Sequence, residues 1–199
     1  MKSKTIESLV RANIAALQPY STARDEYEGE LGVFLDANES PFNNGYNRYP
    51  DPHQKQLKER LSELKGVPSR NIFIGNGSDE AIDLVFRVFC EPRKDNVVAI
   101  TPSYGMYKVA AAMNDVELRE VALRENFALP TEELLAAADE HTKAIFLCSP
   151  NNPTGITVEP SILHGIAGTG VRLFCDFCFL DMTETPEKYE IPALLERYP

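Results

Sequence analysis

The chain has 199 residues, 43% of them hydrophobic and 25% charged, which fits one globular domain, alone or with a small appendage. A formal net charge of -10 argues against a nonspecific grip on nucleic-acid phosphates or on an anionic membrane, so neither is an expected partner. Four cysteines without a dense framework suggest reduced thiols and a cytoplasmic setting, and no apolar run reaches the length of a membrane span.

The first seventeen residues, MKSKTIESLVRANIAAL, interrupt their apolar positions with Glu7, Arg11 and Asn13 and so lack the continuous core of a signal peptide. Ile6, Leu9, Val10, Ile14 and Leu17 are spaced as on an amphipathic helix over 5–17, the centre of an expected arm at 1–30. A turn-rich stretch follows, including VFLDANESPFNNGYNRYPDP, with one short strand expected at 33–35. Its length marks it as a binding loop more than a linker. Leu57, Leu61 and Leu64 predict a helix stopped by Gly66, and 71–74 a short strand.

From there helix and strand alternate. The pattern predicts a helix over about 78–90, a strand at 97–100, a helix at 107–113 and a strand at 116–123. Thr131 is expected to cap a helix with Glu132 and Glu133 in its first turn, and strands are expected at 144–148 and 171–175. Such alternation implies an α/β fold with a mostly parallel sheet and flanking helices, in which ligands bind at the carboxyl ends of strands.

Three loops occupy those ends: GNGSDE at 75–80, TPSYGMY at 101–107 and SPNNPTG at 149–155. In the first, small residues at a helix start suit an anion such as a phosphate, although a tight turn with Ser78 as helix cap explains them equally. It is neither a dinucleotide fingerprint nor a P-loop. In the third, two prolines fix a loop that presents paired asparagine amides. Tyr104 offers a ring for stacking on a planar ligand, against the ordinary role of a packed loop tyrosine.

The stretch LFCDFCFLD at 173–181 places Asp176 in an apolar run, where a carboxylate needs a cationic partner. It also holds Cys175 and Cys178. If 173–179 is one strand, their odd separation sends them to opposite faces, and the dispersed His53, His141 and His164 complete no metal-ligand pattern. No metal is therefore expected. A G-x-S-x-G elbow, the usual mark of a serine hydrolase, does not occur.

Taken in order, LDANESP, NRYPDP, GNGSDEAIDLVFRVFCEP, TPSYGMY and FLCSPNNPTG resemble the amino-terminal half of histidinol-phosphate aminotransferases, pyridoxal-phosphate enzymes of the aspartate aminotransferase fold type. The likeness is strongest from Thr5 to Gly155. It implies that 31–199 is an incomplete cofactor-binding large domain. It further implies that amides of Gly77, Ser78 and Asp79 hold the cofactor phosphate, Tyr104 stacks on the pyridine ring, and Asn152 bonds the ring hydroxyl oxygen. Asp176 would pair with the protonated ring nitrogen, Tyr49 would reach the cofactor of a neighbouring subunit in a homodimer, and Tyr20 and Asn38 would face substrate. The implied reaction moves an amino group between glutamate and imidazole-acetol phosphate, giving histidinol phosphate and 2-oxoglutarate. A phosphate-substrate relative such as threonine-phosphate decarboxylase, or a noncatalytic interaction module, is the alternative.

The sequence departs from the family pattern where D-E-A-Y becomes D-F-C-F, so that Phe179 stands in place of a tyrosine. Three glycines in PSILHGIAGTG weaken an expected helix at 160–170. The family's Schiff-base lysine follows in a later S-K motif, whereas Lys188 is the sole lysine after Asp176 and has no serine before it. No residue of the chain is therefore assigned as catalytic, and the 199-residue chain alone is expected to be inactive.

Overall fold

A computed structural model describes residues 5–21, 27, 33 and 35–198. Two compact units emerge, Met1–Ala15 with Gly75–Pro199, and Ala16–Ile74. The expected arm, 1–30, includes positions outside the described residues, as does the expected strand at 33–35.

In the larger unit, four parallel strands form one sheet in the order β2-β1-β3-β4. They are β1 (Asn96–Thr101), β2 (Glu117–Ala122), β3 (Thr142–Cys148) and β4 (Leu173–Asp176). The unit's longer helices are α4 (Gly77–Phe89), α5 (Met106–Met113), α6 (Thr131–Ala137) and α7 (Pro160–Gly168). The α/β architecture with flanking helices is the one expected.

Alternation along β1 and β3 explains the layering. Val97, Ala99, Ala144 and Phe146 face one side with Ile82, Phe86 and Tyr107, while Val98, Ile100, Ile145 and Leu147 face the other with Leu134, Leu163 and Ile166. The rings of Phe86 and Phe146 stack at 5.4 Å. Full burial of each such side chain stabilises the fold by roughly 1.5–3 kcal/mol.

Polar groups close the amino ends of the strands. Asn96 Nδ2 donates to Asp139 Oδ1 (3.0 Å), the Thr142 hydroxyl to Asn96 Oδ1 (2.7 Å), and Arg119 to Asp139 Oδ2 (2.8 Å). The carboxyl ends are left to the loops at 101–104, 149–155 and 176–178.

In the smaller unit α3 (Lys55–Lys65) starts where the Asp51 carboxylate accepts the N–H groups of His53 and Lys55, both at 2.8 Å, which hold its pKa below the usual carboxylate value. Glu39 takes the Arg48 guanidinium at 2.6 Å and the Tyr49 N–H at 2.9 Å, tying LDANESP to NRYPDP.

Several expectations are corrected. The helix over 5–17 is two short ones, α1 (Ile6–Leu9) and α2 (Ala12–Ala15), because Val10 is extended and the Arg11 N–H donates to Val88 O instead of continuing a turn. No strand forms at 71–74; Ser69–Asn71 is a 3-10 turn, and the residues after it are in no ladder among the described residues. Thr131 opens α6 without a side-chain capping bond. The glycine-bearing segment does form α7, because Leu163 and Ile166 are fully packed in the core and offset the low propensity. The last helix is α8 (Ile191–Arg197). Among the described residues no helix is long and apolar enough to cross a membrane.

Candidate functional site

The site is built where β1, β3 and β4 end and α4 begins. Gly77 opens α4 at φ +76°, in the left-handed region that glycine adopts without penalty, and a Cβ placed there would meet nothing within 4 Å. The first N–H groups of an α-helix have no partner within it, and here Gly77, Ser78 and Asp79 supply them. Glu80 reaches back to accept the Asn76 N–H at 2.5 Å and its side-chain amide at 3.2 Å, which fixes the entry to the helix.

Tyr104, in the loop after β1, donates its hydroxyl to Asp79 Oδ1 at 2.9 Å. That bond, then burial, raises the hydroxyl's pKa above the ordinary tyrosine value. The Tyr104 ring meets Tyr107 edge-on, with centroids 5.8 Å apart.

Asp176 is the last residue of β4 and is only 5% exposed. Its Oδ2 accepts the Tyr107 hydroxyl at 2.9 Å and its Oδ1 the Cys178 N–H at 3.2 Å. The Cys178 thiol bonds the carboxylate as well; these donors are neutral, and no ion pair to Asp176 is formed among the described residues. A buried carboxylate so placed suits a cationic ligand atom.

Chain direction turns sharply after Asp176, so the strand does not run on to residue 179. Cys175 packs in the core while Cys178 sits in the turn beside Ser78, and their separation is set by the turn and not by strand parity. Burial raises the pKa of Cys178, while the Ser78 contact opposes the shift.

The loop after β3 is organised by Asn151, which is 4% exposed. Its amide donates to Pro102 O (3.1 Å) and Thr154 Oγ1 (2.9 Å), and its Oδ1 accepts the Ser103 hydroxyl at 2.8 Å. Asn152 is exposed, next to this anchor, with its side chain available to a ligand. Phe179 is 46% exposed and, with Pro150, Gly155, Met182, Thr185 and Lys188, lines an adjoining cavity of about 500 Å³.

The structure thus brings Gly77, Ser78, Asp79, Tyr104 and Asp176 to one edge of the sheet, with Asn152 on the neighbouring loop. Tyr20, Asn38 and Tyr49 belong to the other unit; Tyr20 is 90% and Tyr49 63% exposed. Sequence reasoning did not single out Tyr107 or Glu80. The Y-x-x-Y spacing at 104–107, one helical turn, was the available signal for Tyr107.

The fold is that of an α/β protein whose candidate site residues gather at the carboxyl edge of a parallel sheet. The chain belongs to the aminotransferase class I and II family, whose model matches residues 32–199. It is similar to the histidinol-phosphate aminotransferase of Bacteroides fragilis strain YCH46, 64% identical over 198 residues that cover 98% of this chain and 56% of that protein. The histidinol-phosphate aminotransferase of Bacteroides thetaiotaomicron is 56% identical over 198 residues, with the same coverage of 98% and 56%. The chain therefore spans about half the length of the curated relatives it matches.

A crystal structure of histidinol-phosphate aminotransferase from Sinorhizobium meliloti in complex with pyridoxal-5'-phosphate superposes with a TM-score of 0.59 at 25% identity, over 64% of this chain and 35% of that one. The L-threonine-O-3-phosphate decarboxylase of Porphyromonas gingivalis shares the fold, with a TM-score of 0.57 at 21% identity over 68% and 41% of the two chains.

Proposed function

We propose that this chain forms the cofactor-binding part of a histidinol-phosphate aminotransferase. Pyridoxal phosphate, when bound, supplies an aldehyde that takes up the amino group and a pyridinium ring that delocalises the electrons left at the substrate carbon. The first-turn amides of Gly77, Ser78 and Asp79 hold its phosphate, with the positive end of α4 behind them. Tyr104 covers one ring face, Asn152 donates to the ring hydroxyl oxygen, and Asp176 keeps the ring nitrogen protonated. Phe179 has no hydroxyl to add to that set.

The single observation that carries this assignment is the Asp176 carboxylate, buried at the end of β4 among neutral donors, on the sheet edge where α4 begins. The amino group moves from glutamate to imidazole-acetol phosphate in a cytoplasmic homodimer, where Tyr49 reaches a neighbouring subunit's cofactor and Tyr20 and Asn38 face substrate. Residues 1–30 serve as an arm and 31–199 as part of the large domain.

The reaction requires a lysine amine as Schiff-base partner and proton carrier. Three of the described lysines engage carboxylates: Lys188 pairs with Glu159 at 3.3 Å, Lys108 with Glu120 at 3.0 Å and Lys143 with Asp95 at 3.4 Å. We infer that the 199-residue chain alone does not transaminate.

Absorbance titration with pyridoxal phosphate, then borohydride reduction and peptide mapping, tests both statements. The expected result is a spectral shift without one specifically labelled lysine. Absence of any shift refutes the cofactor assignment, and a specific adduct on Lys188 or transamination by the purified chain refutes the inferred inactivity.

A further inference from the structure

Tyr107 lies 2% exposed on the inner face of α5, its ring 5.0 Å from that of Phe146 and edge-on to Tyr104. Its neighbours on the helix, Ala110 and Ala111, are buried as well, so the ring sits in close-packed surroundings. Its hydroxyl donates to Asp176 Oδ2 at 2.9 Å, while the Cys178 N–H donates to Oδ1 at 3.2 Å. With donors on both oxygens, and the Cys178 thiol also bonded to the carboxylate, its plane is held.

Burial, reinforced by Cys148 and Asp176, holds the hydroxyl's pKa far above the tyrosine range, so it remains a donor throughout the neutral range. The contact joins α5 to β4, across 69 positions of sequence.

We propose that Tyr107 is a positioning residue for Asp176, setting the carboxylate orientation that meets the ring nitrogen of pyridoxal phosphate. It rests on the cofactor assignment above. A hydrogen bond that served packing alone would affect any ligand of the site equally. A bond that aims the carboxylate matters only to a ligand with a protonated ring nitrogen.

The test titrates the chain and its Tyr107→Phe variant with pyridoxal phosphate and with the analogue in which carbon replaces the ring nitrogen. Tyr107→Phe weakens pyridoxal phosphate about tenfold and leaves the analogue's affinity unchanged. Equal weakening of both compounds, or of neither, overturns the positioning role while the cofactor assignment stands. An unsubstituted chain that binds neither, or binds both equally, overturns the assignment of Asp176 and the inference with it. Should circular dichroism show Tyr107→Phe unfolded, 3-fluorotyrosine at position 107 keeps the ring and its hydroxyl and makes the donor more acidic, at the cost of one added fluorine, whose packing effect acts on both ligands alike. It shifts the ratio of the two affinities by about twofold or more, the effect of a few tenths of a kcal/mol, and an unchanged ratio overturns the proposal.

Discussion

The Tyr104 hydroxyl donates to the Asp79 carboxylate across 2.9 Å, joining the loop after β1 to the first turn of α4. The bond sets the ring against the helix start, so the proposed stacking surface and phosphate amides are held by one contact. Tyr104→Phe keeps the ring and loses the tether; it weakens pyridoxal phosphate about threefold and changes stability by no more than about 1 kcal/mol. Tyr104→Ala removes the ring and weakens binding more than tenfold, on the order of what base-type stacking on an aromatic contributes. Absorbance titration and urea unfolding give both numbers, and undiminished affinity in Tyr104→Ala refutes the stacking role.

Asn151 and Asn152 are adjacent and should respond in opposite ways. Asn151→Ala strands the Ser103 hydroxyl and the Pro102 carbonyl and costs about 1–3 kcal/mol of stability in urea unfolding. Asn152→Ala, at an exposed position, stays within about 0.5 kcal/mol yet weakens pyridoxal phosphate severalfold. The reverse pattern refutes the division of labour between anchor and ligand contact.

Asp176→Asn separates function from stability. The neutral side chain fits the same space, and removing a buried carboxylate without a cationic partner is neutral or stabilising by up to about 1 kcal/mol. Pyridoxal phosphate affinity falls tenfold or more because the ring nitrogen loses its counter-charge. A large drop in urea midpoint, with affinity retained, contradicts the assignment.

Desolvated thiols, Cys90 buried and Cys175 half-buried, predict an alkaline limit. Burial pushes Cys175 up to about 12 and, with the negative charge of Asp95 adding to it, Cys90 up to about 12 from an ordinary value of 9.0. Since the folded-state values are raised, the contribution is fully present below the ordinary thiol pKa and is lost as pH climbs from there toward the folded-state value. Urea midpoints should decline between pH 9 and pH 12, and Cys175→Ala should shallow the decline by about 1.4 kcal/mol per pH unit. An equally steep decline in that variant excludes Cys175 as a source.

Period-2 and period-3.6 patterns determined much of this protein before any coordinates. Apolar runs at 97–100 and 144–148 and the stripe of Ala81, Ile82, Val85, Val88 and Phe89 are local signals, and the structure forms strands and a helix there within a residue or two, although on that helix Phe86, and not Phe89, is the fully buried ring. The loops at strand ends were legible for the same reason, because glycine, proline and asparagine announce their turns. Tertiary structure decided what depends on partners distant in sequence. Val10 breaks the first helix because Arg11 finds Val88, and the apolar run after Leu173 stops at Asp176 because the chain turns toward Ser78. The donor that meets Asp176 lies on another helix, 69 positions away, and no local periodicity encodes such a pairing.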